Sequence, residues 1–259
     1  MSAPRRIAVL HPGRMGAAIG RVLREAGHDV GWLPAGRGEG TRRRAAEAGL
    51  TELTDLTDRD VVVSLCPPDA ALDTARSVCG FGGLYVDANA VAPATAREIA
   101  TLVLGGGADV VDGGVVGPPP AAPGTTRLYL SGARAAEAAA LFTGTPLGTV
   151  VLDGDDVAAS SLKMAYAAWT KITAALLVGI DGAARSLGVG EQLQAEWALS
   201  HPELVDRLAV ARRSVADKGW RWSGEMREVA RAFDDLGQPA GFADAAAEVF
   251  SRAPRPEDR

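Results

Sequence analysis

Gly13 and Gly16, in the stretch Leu10-His11-Pro12-Gly13-Arg14-Met15-Gly16, are spaced as the last two glycines of a turn that grips a dinucleotide pyrophosphate. In such a turn the first glycine makes the bend, the second lets backbone approach the phosphates, and the third lets the following helix pack closely on the strand. His11 stands where the first glycine is expected. A residue before proline is biased to extended geometry, so His11-Pro12 is expected to prolong the strand until the chain turns at Gly13, with His11 a loop residue packed near the turn. A helix beginning near Arg14 then offers unpaired N–H groups and a positive dipole end to a phosphate. Pro12, Gly13, Arg14, Met15 and Gly16 are read as the residues of that contact.

An NAD-preferring site carries a carboxylate about 20 positions after the glycines, where it binds ribose hydroxyls. Here the second apolar run ends Gly31-Trp32-Leu33-Pro34-Ala35-Gly36-Arg37 with no carboxylate in place, and the later Glu39 is surrounded by Arg37, Thr41, Arg42, Arg43 and Arg44. Guanidinium forks suit a 2′-phosphate, so NADP(H) is the expected coenzyme, with Arg37 and Thr41 as its contacts. At least two of Arg42, Arg43 and Arg44 are read as a solvated helix face.

These residues need a scaffold, and the chain supplies one. From Arg6 to about Leu152, short β-branched runs (IAVL, DVGWL, VVVSL, LYVDA, DVVDGG, RLYLSG, GTVVLD) alternate with alanine-rich helical stretches. That alternation predicts βαβ units and a mostly parallel sheet buried on both faces. After Asp155 no strand pattern remains. The expected fold is therefore α/β, a doubly wound Rossmann-type sheet over residues 1–154 followed by an all-α domain over 155–259. A helix from about Asp155 to Ser186, roughly 45 Å long, is expected to be the spine of the second half. The tail RAPRPEDR is read as frayed.

Composition narrows the function classes. A formal net charge of -5 argues against nucleic-acid or anionic-membrane partners and for a small-molecule substrate. Cys66 and Cys79 form neither a C-x-x-C nor a ligand cluster, which implies no metal site and a reducing, cytoplasmic setting. The apolar run at the N-terminus is too short for a signal sequence, and no segment has the length of a membrane span.

Together, HPGRMG, AGRGEGT, LYVDANAVAP, VVDGGVVGPPPAAPGTTRLYLSG and SLKMAYAAWTK resemble the superfamily of β-hydroxyacid dehydrogenases and 6-phosphogluconate dehydrogenase, which includes imine reductases. The resemblance spans nearly the whole chain. AEWALS and KGWRWSGEMREVA are similar to a bacterial subgroup with a distinctive C-terminal helical domain. It implies hydride transfer between a nicotinamide and a carbonyl, alcohol or imine carbon, and it places the catalytic lysine at Lys163. An ammonium beside a nascent alkoxide can donate the required proton. Asn89 and the Cys66-Pro67 backbone lie at strand ends on the carboxyl edge, where open α/β sheets bind ligands, so all three are read as coenzyme contacts and Asn89 also as a substrate contact. Cys66 is read as an apolar wall, not a nucleophile. Lys218 resembles the lysine of a later Lys-Asp-Leu motif and is carried as a coenzyme or substrate contact, although Gly219 replaces the aspartate.

Two departures keep the chemistry open. Ala167 stands where the family has an asparagine one turn after the lysine, so Tyr166, three residues from Lys163, is a candidate orienter or proton donor. Gly117 and Pro118 are read as substrate contacts, but Pro118, Pro119 and Pro120 replace a Ser-Gly-Gly type turn and donate no N–H, which weakens an anion cradle. An NADP(H)-dependent oxidoreductase of a small hydroxy or keto compound is the leading expectation. An imine reductase and a non-catalytic NADP-binding protein are the alternatives. Trp169 is expected in the core and Lys171 at a surface or interface, and the helical half is expected to form a homodimer.

Overall fold

The computed structural model describes residues 3–254; part of the tail read as frayed, residues 255–259, lies outside them. The seven apolar runs form strands β1 (Arg6–Leu10), β2 (Asp29–Trp32), β4 (Val61–Ser64), β5 (Leu84–Asp87), β6 (Asp109–Val116), β7 (Arg127–Ser131) and β8 (Gly148–Val151). An eighth strand, β3 (Thr51–Glu52), is too short to leave a periodic pattern in the sequence. The sheet order is β3-β2-β1-β4-β5-β6-β7-β8, parallel throughout except for the antiparallel pair β6 and β7. β1 has β2 on one side and β4 on the other, so the topological switch, where such sheets open a crevice at their carboxyl ends, falls at β1 and β4.

Alternation along β1 builds two cores. Ile7 and Val9 face one side, with Ile19, Val22 and Leu23 of α1 (Arg14–Glu25), while Ala8 and Leu10 face the other, with Ile99 and Val103 of α4 (Pro93–Gly105). Each fully buried aliphatic side chain contributes about 1.5–3 kcal/mol. The other helices of this half are α2 (Glu39–Glu47), α3 (Ala71–Ser77) and α5 (Ala135–Ala140).

The described chain falls into two compact units that divide between Lys163 and Met164. The sequence boundary at 154/155 lies closer to the end of the sheet. The first unit continues past it because the opening turns of α6 (Ala158–Ala167) are bonded to β6 and β7: the Ser160 N–H donates to Asp112 and the Ala159 N–H to the Ser131 hydroxyl.

The second unit is helical, with α7 (Thr173–Ser186), α8 (Gly190–Ser200), α9 (Glu203–Lys218), α10 (Trp222–Asp235) and α11 (Gly241–Ser251), and no strand follows β8 among the described residues. Buried Asp181 of α7 ties three helices together, accepting hydrogen bonds from Gln194 at 3.0 Å and Arg212 at 2.5 Å. α6 and α7 form one continuous helix, because the residues joining them keep helical dihedrals through a π-helical segment at Ala168–Ile172. No helix among the described residues is long and apolar enough to cross a membrane.

Candidate active site

The turn after β1 differs from the extended geometry expected of it. His11 has φ of 60°, the one positive φ outside glycine among the described residues, and the Gly13 N–H donates to the His11 carbonyl at 2.6 Å, closing a three-residue turn about Pro12. His11 thus adopts the left-handed backbone that the missing glycine would supply, at a cost on the order of 1–3 kcal/mol. The strand stops at Leu10 and does not run on. Gly16 is where α1 crosses this turn: a Cβ there would lie 2.7 Å from the His11 carbonyl oxygen, whereas one at Gly13 would meet nothing nearer than 3.9 Å. Gly13 therefore leaves backbone open to a ligand, and Gly16 permits the close packing. Pro12 is buried, Arg14 is exposed on the first turn of α1, and Met15 packs against the sheet core.

Arg37, in the loop after β2, has a buried Nε with no hydrogen-bond partner, and His11 has a buried, unpartnered Nδ1. Burial pulls the Arg37 guanidinium below its usual range. Burial, followed by the nearby Arg37 charge, holds the His11 imidazole down at about 4. Two desolvated nitrogen groups beside an open helix N-terminus fit an anion, and a phosphate would offer both of them an acceptor. Arg44 closes the same corner, donating to the Pro12 carbonyl at 3.5 Å and to the Thr41 hydroxyl at 3.1 Å. Arg42 bonds Glu52 and the Pro34 carbonyl from an exposed position, and Arg43 pairs only loosely with Glu47 on the solvated face.

Across the switch point, Asn89 is buried and its amide is engaged within the protein. Its Oδ1 accepts the Cys66 N–H at 2.6 Å, and its Nδ2 donates to Ser64 Oγ at 3.0 Å and to Asp87 Oδ1 at 2.5 Å. Both amide hydrogens expected to meet coenzyme or substrate are therefore taken, and the side chain works as a latch that fixes the Cys66-Pro67 loop. Burial pushes the Cys66 thiol up to about 11, in keeping with an apolar wall. Pro67 is exposed at the mouth of this loop.

The latch rests on two carboxyl groups that sequence reasoning missed. Asp87 and Asp112 are register partners on β5 and β6, and both are buried. The signal was present, since LYVD and DVVD each end an apolar run in aspartate. Asp112 is fully engaged by Ser131 and Ser160, whereas Asp87 Oδ2 has no partner. Burial, and then the charge of Asp112, raise the Asp87 carboxyl to about 7. Because its folded value lies above the unfolded one, the native state holds this proton more tightly, and the associated stability is present in acid and lost as pH rises from about 4 through 7. Asp87→Asn is expected to melt at a higher temperature than the unsubstituted protein at about pH 8, with the difference closing towards pH 4. Parallel melting curves across that range would contradict a buried neutral Asp87.

Lys163 lies on α6 within the first unit, half-buried, and its Nζ donates to the Val115 carbonyl of β6 at 3.0 Å. Gly117, at φ of 120°, ends that strand, and the Pro118 carbonyl accepts the Thr126 hydroxyl at 2.5 Å. Both are exposed, so Pro118 presents a stiffened edge without an N–H.

Tyr166, Trp169, Lys171 and Lys218 belong to the second unit. Tyr166 is exposed, and Ala167, in the place of the family asparagine, is fully buried. Trp169 is corrected from core to surface: it is 61% exposed and carries Arg207 over its ring at 5.5 Å. Lys171 is corrected in the opposite sense, half-buried with its Nζ 3.1 Å from Glu225 Oε1 and 5.5 Å over the Trp222 ring. Trp169 continues the exposed stripe of Leu162 and Tyr166, while the Glu225 carboxylate and the Trp222 ring draw Lys171 inward. Lys218 sits exposed at the end of α9, with its Nζ 5.7 Å from the centroid of the Trp222 ring. Among the described residues no group of His, Cys, Asp or Glu is placed to hold a metal ion.

The fold is shared with solved 3-hydroxyacid dehydrogenase-like structures, the class its motifs resemble. Residues 184–253 match the family model described as a domain of unknown function, DUF1932. A conserved protein of unknown function with structural similarity to 3-hydroxyacid dehydrogenases is 25% identical, with 95% of this chain and 96% of that chain covered and a TM-score of 0.70. Mycobacterium tuberculosis 3-hydroxyisobutyrate dehydrogenase, solved with L-serine, is 18% identical over 96% of this chain and 94% of its own, with a TM-score of 0.73. A reductive aminase from Aspergillus terreus, in complex with NADPH and ethyl levulinate, is 17% identical over 96% and 93%, with a TM-score of 0.61. No curated protein sequence matches the chain.

Proposed function

We propose that this chain is an NADP(H)-dependent oxidoreductase acting on a small polar hydroxy or keto compound, with Lys163 moving the proton. The observation that carries the reading is the pair of buried, unpartnered nitrogens on Arg37 and His11 beside the open N-terminus of α1, at the switch point of the sheet. Arg37, with Thr41 and Arg44 behind it, would hold the 2′-phosphate, and the Gly13 backbone would meet the pyrophosphate. The bound nicotinamide supplies or accepts the hydride. Lys163 donates the proton to the oxygen of the reduced carbonyl, or takes it from the alcohol in the reverse direction. The dehydrogenase and the NADPH-bound reductive aminase that share this fold support the class of reaction.

Tyr166, exposed on α6 three residues after Lys163, favours an imine reductase as the second reading, with its hydroxyl as proton donor. Titration with NADPH and NADH, followed by turnover on a panel of hydroxy acids, keto acids and cyclic imines, tests all of these. Reduction or oxidation of the oxygen substrates supports the leading reading and turnover of cyclic imines the second. Tight NADPH binding without turnover points to a coenzyme-binding protein, and absence of binding removes the proposal.

The same helix supports a homodimer. Leu162, Tyr166, Trp169, Leu176 and Ile180 are all exposed along it at spacings of three, four and seven residues, the period of a seam between helices. Light scattering of the purified protein at micromolar concentration is expected to give twice the 26.7 kDa chain mass, and Leu176→Glu combined with Ile180→Glu is expected to give the monomer. A monomeric unsubstituted protein would refute this assembly.

A further inference from the structure

We propose that Asp112 and Gly114 of β6 are positioning residues whose task is to set the ammonium of Lys163, an inference that rests on Lys163 being the proton donor. Three consecutive features of one strand meet one face of one helix. Asp112 holds the opening turn of α6: its Oδ2 accepts the Ser160 N–H at 2.8 Å, its Oδ1 accepts the Ser160 hydroxyl at 2.5 Å, and the Ser131 hydroxyl that also bonds Oδ2 accepts the Ala159 N–H at 3.0 Å. A carboxyl group there answers the unpaired N–H groups of a helix start.

One pleat further on, Gly114 lets the helix come down onto the strand. A Cβ at this position would lie 2.7 Å from the Ala159 carbonyl oxygen and 3.1 Å from the Lys163 Cβ. Ala159 and Lys163 are four residues apart, one above the other on the face that meets the strand. The next carbonyl, that of Val115, receives Lys163 Nζ at 3.0 Å. Anchor, close contact and amine rest thus follow one another along Asp112-Gly113-Gly114-Val115, and the height of the ammonium above the sheet edge is set by the lack of a side chain at 114. The packing of α6 requires the glycine only at this contact, and the contact includes the base of the lysine itself.

The chain has lysines at 163, 171 and 218 only, so the amine can be followed directly in the full-length protein. Reductive methylation with formaldehyde and cyanoborohydride, read by mass spectrometry of the three lysine peptides, reports whether Lys163 is held, with Lys171 and Lys218 as internal references. Gly114→Ala, which pushes Ala159 and Lys163 away from the strand, is expected to speed methylation of Lys163 several-fold relative to the references. Asp112→Ala, which removes the acceptors of the Ser160 and Ser131 hydrogen bonds, is expected to do the same and covers the case in which Gly114→Ala does not fold. On whichever substrate of the panel is turned over, kcat is expected to fall about a hundredfold, the effect of a misplacement near 1 Å, with KM and NADPH affinity within about twofold. Unchanged Lys163 methylation in the folded variants overturns the inference. Full turnover by Lys163→Met would instead overturn the functional reading, and the methylation rates would still decide whether β6 holds the amine.

Discussion

Lys163→Ala is expected to lower turnover by about 10² to 10⁴-fold while leaving NADPH affinity unchanged, the effect of losing a general acid that does not touch the coenzyme phosphates. Hydride delivery to a carbonyl leaves an alkoxide, which is a poor product unless a proton arrives as charge develops. The lysine is suited to that task by placement: it is half-buried, and its Nζ is held 3.0 Å from the Val115 carbonyl at the last residues of β6, next to the exposed Gly117-Pro118 edge. Removing it leaves one strand carbonyl for water to satisfy and takes nothing from the buried core. The loss should therefore appear in kcat and not in the melting temperature. Turnover equal to that of the unsubstituted protein would take Lys163 out of the mechanism and turn attention to Tyr166.

Arg37→Ala carries the second large effect. Its guanidinium is desolvated and its Nε lacks a partner, so it offers a charge-assisted hydrogen bond to an incoming phosphate with part of the desolvation already made. Hydrogen bonds to charged groups are worth about 1.5–3 kcal/mol, which corresponds to NADPH affinity weaker by roughly ten- to a hundredfold. NADH has no 2′-phosphate, so its affinity should hardly move, and the ratio of the two dissociation constants is the measurement. Equal losses for both coenzymes would show that Arg37 supports the loop and does not read the phosphate.

These two residues also mark how far the sequence reaches. Arg37 and the Gly13-Gly16 pair are legible because their chemistry is local: a turn, a helix start and a cation lie within one βαβ unit, where spacing along the chain fixes spacing in space. The strand runs are legible for the same reason, since a parallel sheet buried on both faces needs continuous apolar segments, and seven of them appear. His11 was legible as an anomaly but not as a conformation. Pre-proline sterics favour an extended backbone, and only the tight bond from the Gly13 N–H and the contact of Gly16 with the His11 carbonyl impose φ of 60°.

By itself, the sequence determined the α/β class, the helical second half, the position of the glycine turn after β1 and the cationic loop after β2. Tertiary structure alone decided that Asn89 is a latch with both amide hydrogens engaged, that Asp87 and Asp112 share a buried register, that Trp169 faces outward while Lys171 turns in to Glu225, and that Lys163 leans on a glycine. The physical reason is common to all of them. Each depends on which groups from distant strands and helices meet, and that is not written in the spacing of residues along one segment.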